Sequence, residues 1–218
     1  MKSLLTIDGI DGSGKSTFCR RMHEALTAAG ITAVRIRVDD FRRSVVWDQA
    51  TVEAIAYYDG YYDLAACDGV LRAFLAGERT AEIPVYDIAQ ERRTGTKSIA
   101  FEGASVAVIE GVFPLRMPSV QKGALIYLET TEDEARRRIV SRDLRKGRTQ
   151  AEIERRIGQR YFPSQALYRQ QYAPQDRADV VIDNERPVEP RGIKRDLGRL
   201  PLGLQTVLSD FLPSPDER

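Results

Sequence analysis

The chain has 218 residues, 42% hydrophobic and 30% charged, with a net charge of +1. That is enough apolar material for one α/β domain, or a domain with a small appendage, and the near-zero charge excludes a global attraction to nucleic acid or to an anionic membrane. Two cysteines, Cys19 and Cys67, and one histidine, His23, exclude a zinc cluster or a disulfide framework and fit a reducing cytoplasm.

Taken in chain order, Leu4-Leu5-Thr6-Ile7 reads as a short buried strand. Asp8 ends it before it reaches the length of a signal-peptide core, and no apolar run approaches membrane-spanning length, so a cytoplasmic protein is expected. The strand leads into Gly9-Ile10-Asp11-Gly12-Ser13-Gly14-Lys15-Ser16-Thr17, which fits the P-loop pattern G-x-x-x-x-G-K-[ST]. Its glycines let the backbone curl so that successive N–H groups face one concavity suited to phosphate oxygens. A nucleoside triphosphate is therefore expected on Gly9, Asp11, Gly12, Ser13, Gly14, Lys15, Ser16 and Thr17. Lys15 has the reach for the β- and γ-phosphates, and the Ser16 hydroxyl can ligate Mg²⁺. Phe18, Met22, Ala25, Leu26 and Ala29 mark one face of the following helix, which aims its positive end at the phosphates. Gly30 is its expected stop.

Residues 32–38 alternate as a second strand ending at Asp39-Asp40-Phe41, and residues 42–60 show no clear pattern. Tyr61 to Leu75 reads as a helix, with Leu64, Cys67, Leu71, Phe74 and Leu75 on one side. Ile83 to Ile88 and Lys97 to Phe101 form a hairpin across the polar stretch Gln90 to Thr96. Residues 105–110 and 124–128 are the clearest buried strands. A charged helix runs from Glu132 to about Lys146, breaks at Gly147 and resumes near Gln150, with Pro163 expected to kink or interrupt it. Val180 to Ile182 is a last short strand. Strands alternating with helices predict an α/β fold: a three-layer P-loop sandwich with a mostly parallel sheet and a small hairpin lobe. Residues 1–184 form the main domain. Residues 185–218 form a partly ordered extension in which Leu202, Leu204, Val207, Leu208 and Phe211 make an amphipathic turn or two, ahead of a frayed end.

In open α/β sheets ligands bind beyond the carboxyl ends of the strands, where Asp8, Asp39, Asp40 and Glu110 fall. A phosphoryl-transfer site needs a carboxylate to accept the proton of the attacking hydroxyl and oxygens near Mg²⁺; Asp39 and Glu110 suit both tasks. Alternation along a strand puts Asp39 and Asp40 on opposite sides, with Asp39 sharing the parity of Arg35 and Arg37 and so facing a polar cleft. The run 136–148 holds seven cations against one acid, Asp143. With its glycine break it reads as a mobile lid over about 136–150, which stabilises charge on the transferring group and excludes water. No aromatic residues interleave with it, so RNA is not the expected partner.

Asp39-Asp40-Phe41, Pro84-Val85-Tyr86-Asp87, Glu110-Gly111, Arg142-Asp143 with Gly147-Arg148, and Ala178-Asp179-Val180-Val181-Ile182 together resemble the uridine kinase branch of the phosphoribulokinase/uridine kinase family, over roughly residues 3–184. The resemblance implies ATP and Mg²⁺ as cofactors and phosphorylation of a hydroxyl on a small sugar-bearing or alcohol substrate. By position Asp39 is then the general base, Glu110 sits in the Mg²⁺ shell with Ser16, and Arg142 and Arg148 contact ATP. Asp40, Tyr86, Glu91 and either Asp59 or Asp63 face the acceptor. Where uridine kinases carry an aromatic residue and a histidine that hold the uracil, this chain has Ile88 and Glu91, which argues against uridine as the acceptor. A pantothenate kinase-like or thymidylate kinase-like enzyme is the alternative, although the Asp-Arg-aromatic motif of thymidylate kinases is missing. A P-loop switch lacks its N-K-x-D stretch here. The presence of Lys15, Ser16, Asp39, Glu110 and Arg142 together argues against a non-catalytic nucleotide binder. The expected partner is a small molecule with a hydroxyl group, with no nucleic acid and no membrane; self-association stays open.

Overall fold

The computed structural model describes residues 2–45, 47, 52–187, 191–198 and 200–211. Its strands are β1 (Ser3–Gly9), β2 (Ala33–Arg37), β3 (Thr80–Asp87), β4 (Arg92–Ala100), β5 (Val106–Glu110), β6 (Ala124–Glu129), β7 (Val180–Asp183) and β8 (Arg191–Arg195). Its helices are α1 (Lys15–Ala28), α2 (Glu53–Ile55), α3 (Leu64–Leu75), α4 (Glu132–Leu144), α5 (Gln150–Arg156), α6 (Phe162–Tyr172), α7 (Pro174–Arg177) and α8 (Leu202–Phe211). Six strands form one sheet in the order β2-β5-β1-β6-β7-β8, parallel except for the antiparallel β7–β8 edge.

β5 is buried at every position, as a central strand covered on both faces must be. β1 lies between β5 and β6, with Leu5 opposite Val108 on one side and Ala124 on the other. Alternate residues of β1 serve two cores. Leu5 and Ile7 pack with Phe18, Met22, Leu26, Leu204 and Leu208 under α1 and α8. Leu4 joins Ile36, Ala107, Ile109, Leu125 and Tyr127 on the other face, together with Phe74, Phe113 and Tyr168. All of these are nearly inaccessible to solvent, and each large apolar side chain so removed from water contributes about 1.5–3 kcal/mol before entropy is counted. The predicted mostly parallel α/β fold is the fold observed.

Local differences from the expectations have physical causes. The second strand stops at Arg37, and residues 38–41 form a single 3-10 turn. The expected helix from Tyr61 begins at Leu64, because the Asp63 carboxylate accepts from the Ala66 N–H and caps it. The hairpin is longer than its apolar stretches: most of the polar segment 90–96 is β4, paired from Tyr86–Arg93 outward with a bulge at Val85/Tyr86. This two-stranded lobe stands outside the main sheet, so it needs few apolar residues. The helical irregularity expected at Pro163 falls just before it, as a π segment over Ile157–Tyr161. The proline occupies the first turn of α6, where its missing N–H is harmless. The extension supplies β8, an edge strand the sequence did not announce, and α8, whose Phe211 meets Phe18 edge to face at 5.3 Å.

Candidate active site

The P-loop joins β1 to α1. Gly12 has φ +82° and Gly14 has φ +94°, left-handed values that L residues rarely adopt. A Cβ on Gly12 would lie 2.6 Å from the Ala135 carbonyl oxygen of α4, so the loop is wedged against the lid helix. Ser13 N–H donates to the Ile10 carbonyl at 3.1 Å, and Thr17 and Phe18 N–H groups return to Gly14. The Lys15 ammonium lies along the loop, donating to the carbonyls of Gly9 (2.8 Å) and Ile10 (2.7 Å). Asp8 turns away from the phosphate side. It accepts from Tyr168 Oη at 2.7 Å and from Gly9 N–H, and burial raises its pKa to about 6 despite these donors and Lys15. The Tyr168 hydroxyl also accepts from Leu115 N–H. Asp8 therefore anchors the loop rather than touching ligand.

Two chambers open on this loop. The first, of about 350 Å³, is lined by Asp11, Gly12, Gly14, Lys15, Ser16 and Thr17 of the P-loop and by Glu110, Arg138 and Arg145. The second, of about 430 Å³, is lined by tyrosines of the 57–62 segment, by Trp47, Tyr86, Ile88 and Glu91, and by a set of cations. Asp11, Asp39, Tyr62 and Arg142 line both. A group passing between the chambers passes these four side chains.

Glu110, at the end of β5, accepts from Ser16 Oγ at 3.0 Å and pairs with Arg35 at 2.7 Å. Ser16 and Glu110 are thus adjacent oxygen ligands facing the phosphate chamber. Among the described residues no cluster of three or more His, Cys, Asp or Glu could cage a metal. A single carboxylate and a hydroxyl beside a phosphate chamber fit Mg²⁺, which keeps most of its waters and shares its shell with substrate phosphates. Because Arg35 already occupies one Glu110 oxygen, contact through water suits this carboxylate best.

Asp39 sits in the 3-10 turn after β2. It pairs with Arg42 at 2.9 Å and accepts from Tyr62 Oη at 3.2 Å. Enclosure by protein works to raise its pKa, but Arg42 and Arg37 with these hydrogen bonds outweigh it and hold the carboxyl below the usual range. The Tyr62 hydroxyl is 3.1 Å from that of Tyr57, and Tyr57 donates to Asp11 at 3.2 Å. Burial raises the pKa of both tyrosines, so they remain neutral donors. A line of polar contacts thus runs from the P-loop to Asp39; with each tyrosine's single hydroxyl hydrogen on its carboxylate, the two hydroxyl oxygens meet without a proton between them.

On the lid, Arg142 and Arg148 share the buried Asp143 carboxylate at 2.6 and 2.7 Å. Arg138, Arg142 and Arg145 lie on one face of α4 and its end, at helical spacings of four and three. Arg138 also holds the loop, donating to the carbonyls of Asn184 (2.7 Å) and Glu185 (2.9 Å) and lying near those of Gly12 and Ser13. Arg136 and Arg137 point away and pair with Glu154 and Glu134.

The structure thus brings together Asp11, Gly12, Gly14, Lys15, Ser16, Thr17, Asp39, Glu110 and Arg142, with Tyr86 and Glu91 in the second chamber. Gly9 and Ser13 stand behind the loop as its supports; Ser13 is fully buried. Arg148 lines the second chamber and not the phosphate chamber, which takes it away from the expected ATP contact. Asp40, Asp59 and Asp63 line neither chamber. Asp40 pairs with Arg37 at 3.7 Å, Asp59 with Arg116 at 3.0 Å, and Asp63 with Arg43 at 2.8 Å while it caps α3. The sequence reading missed Arg42, Trp47, Arg138, Arg145 and Arg160. The i, i+4, i+7 phase of Arg138, Arg142 and Arg145 was the available signal for two of them; residues 42–60 offered none for Arg42 and Trp47.

The model of the phosphoribulokinase/uridine kinase family matches residues 4–189. The chain belongs to this family. No curated protein matches it. Among solved structures, a possible uridine kinase from Bacillus stearothermophilus superimposes with a TM-score of 0.64 at 20% identity, covering 83% of this chain and 88% of that one. D-glycerate 3-kinase from Cryptococcus neoformans var. grubii gives 0.56 at 12% identity, covering 88% and 90%. At these identities the likeness carries the fold. No helix among the described residues is long and apolar enough to cross a membrane.

Proposed function

We propose that this chain is an ATP-dependent kinase that transfers the γ-phosphate to a hydroxyl of a small molecule bound in the second chamber. The observation that carries the reading is the wall shared by the two chambers: Asp11, Asp39, Tyr62 and Arg142 border both the P-loop space and the tyrosine-lined space. A phosphoryl group in transit needs a base on one side, fixed positive charge around it and little water. Asp39 accepts the proton of the acceptor hydroxyl, with Arg42 and Tyr62 fixing its carboxylate for in-line attack. Arg142 meets the developing charge, and Lys15 with the loop N–H groups holds the β- and γ-phosphates. Ser16 and Glu110 would hold Mg²⁺, which would supply positive charge against the phosphate oxygens.

Family membership supports a kinase of small molecules; its structural neighbours include a possible uridine kinase and a D-glycerate 3-kinase. Uridine is not the acceptor in this reading. Ile88 and Glu91 both line the second chamber; neither stacks on a pyrimidine as an aromatic does, and ionised Glu91 only accepts hydrogen bonds. The test is ATP consumption over a panel of alcohols, sugars, vitamins and nucleosides, comparing the native chain with Lys15→Ala. The native chain consumes ATP with one acceptor class and Lys15→Ala does not, while its circular dichroism stays native. Equal turnover by a folded Lys15→Ala would remove the P-loop from the reaction.

A further inference from the structure

The second chamber has an unusual charge inventory. Six cations line it: Arg42, Arg142, Lys146, Arg148, Arg156 and Arg160. Three carboxylates line it: Asp11, Asp39 and Glu91. Further carboxylates stand behind the wall, but each is divided between two cations. Asp143 serves Arg142 and Arg148, Glu53 serves Arg155 and Arg160, and Glu152 serves Arg156 at 2.6 Å and Arg148 at 3.9 Å. The Lys146 ammonium makes no hydrogen bond or ion pair with the described residues; Arg142, Arg148 and Arg42 crowd it, with only Asp143 near enough to offset them.

Arg160 is 3% exposed. Its guanidinium lies 3.5 Å from the centre of the Trp47 ring, with Nε on Glu53 at 2.9 Å. Its Nη2 is also 2.9 Å from that Glu53 oxygen, though without hydrogen-bond geometry, and the buried Nε atoms of Arg42 and Arg156 have no hydrogen-bond partner. Buried charged donors with unused N–H groups are costly unless something supplies acceptor oxygens. This surplus does not serve the nucleotide: of the six cations only Arg142 also lines the phosphate chamber, which has Lys15, Arg138 and Arg145 of its own.

Resting on the kinase reading above, we propose that the acceptor is an anionic alcohol, and that Arg160, Arg156 and Lys146, which line the second chamber and not the phosphate chamber, bind its carboxylate or phosphate group. Planar guanidinium forks match both groups, and the hydroxyl to be phosphorylated then lies toward Asp39. A neutral sugar or nucleoside leaves these donors unpaired.

Trp47 is the only tryptophan in the chain, so its fluorescence reports this chamber. With the P-loop filled by MgADP, titration with inorganic phosphate quenches or shifts Trp47 emission in the native chain, and the response weakens about tenfold or more in Arg160→Gln and in Lys146→Gln, the scale of a lost charge-assisted contact. Lys146→Gln removes a side chain with no hydrogen bond or ion pair to the described residues, so it keeps the fold where Arg160→Gln strands Glu53. In turnover, alcohols of three to six carbons are offered as neutral, carboxylate and phosphate forms. An anionic form exceeds its neutral counterpart by about 10²-fold or more in kcat/KM, and whether the carboxylate or the phosphate arm wins identifies the group. Both variants raise KM for that acceptor and leave KM for ATP unchanged. A neutral form as the best acceptor, or a phosphate response absent or equal in native and variant chains, overturns the anion site and leaves the kinase reading standing. Failure of MgADP to bind at all is a failure of the kinase reading, visible before any anion is added.

Discussion

Asp39→Asn keeps the shape of the side chain and removes the base. In the structure Asp39 faces both chambers and is held by Arg42 and Tyr62, whereas Asp40 faces neither and pairs with Arg37 at 3.7 Å. Loss of a general base costs roughly 10²–10⁴-fold in kcat, or about 2.7–5.4 kcal/mol of transition-state stabilisation. The loss in folding stability is smaller. The Asp39 side chain is 39% exposed, so the weakened contact with Arg42 is discounted from the usual charged hydrogen bond to about 1 kcal/mol. The two effects separate experimentally: steady-state kcat at saturating ATP and acceptor reads the first, and a denaturation midpoint reads the second. KM for ATP stays within about twofold, because Asp39 is not a loop residue. Asp40→Asn changes kcat by less than about threefold, as expected for a half-buried charge that lines neither chamber. If Asp40→Asn is the inactive variant, or Asp39→Asn keeps most of its activity, Asp39 is not the base. The low pKa of Asp39 adds a constraint: the carboxyl is already ionised at pH 5, so a fall in rate between pH 7 and 5 that Asp39→Asn abolishes also contradicts the assignment.

Gly12→Ala places a methyl group 2.6 Å from the Ala135 carbonyl at φ +82°; MgATP affinity measured by calorimetry drops at least about tenfold, since the lid helix and the loop must separate. Tyr168→Phe removes the donor to Asp8 and the acceptor for Leu115 N–H, lowering the unfolding free energy at pH 7 by about 1–3 kcal/mol. The loss is smaller at pH 5: the folded-state pKa of Asp8 is already raised to about 6, so the native state takes up the proton more readily than the unfolded chain as pH falls, and deletion of the donor raises that pKa further. Cys19 is buried, with its thiol pushed up to about 12, and burial raises Cys67 as well; neither reacts with a disulfide reagent in the native protein at pH 8, and both react after unfolding.

The parts of this molecule legible in the sequence are those where local chemistry and tertiary role coincide. The P-loop needs glycines at φ values only glycine takes easily, and Gly12 and Gly14 stand there because the lid helix and Asn184 crowd them. β5 and β6 are apolar because a parallel strand is covered on both faces. The hairpin was half legible: its polar strand β4 packs against little, so no alternation marks it. β8 was illegible for the same reason, since an edge strand in an Arg- and Pro-rich stretch has no buried face to advertise.

Asp39 shows how a sound expectation can rest on the wrong geometry. Alternation along a strand was the argument for separating it from Asp40, but β2 ends at Arg37 and a 3-10 turn follows. Successive side chains there diverge by about 120°, and that rotation carries Asp39 to Arg42, Tyr62 and both chambers while Asp40 stays with Arg37. Arg42 itself was unreadable: it lies one residue past the turn, in a stretch without periodicity, and its role follows only once the turn folds it back to Asp39. The lid arginines were hard to sort for the opposite reason, because seven cations in thirteen residues hide which face matters. Helical phase sorts them. Arg138 and Arg142 turn to the ligand side, Arg136 pairs with Glu154 and Arg137 with Glu134, a carboxylate it shares with Arg138, while the turn at Gly147, with φ +80°, brings Arg148 back onto Asp143 and into the second chamber. The lid's charge is thus divided between the two chambers, with Arg138 and Arg145 on the phosphate side, Lys146 and Arg148 on the acceptor side, and Arg142 reaching both.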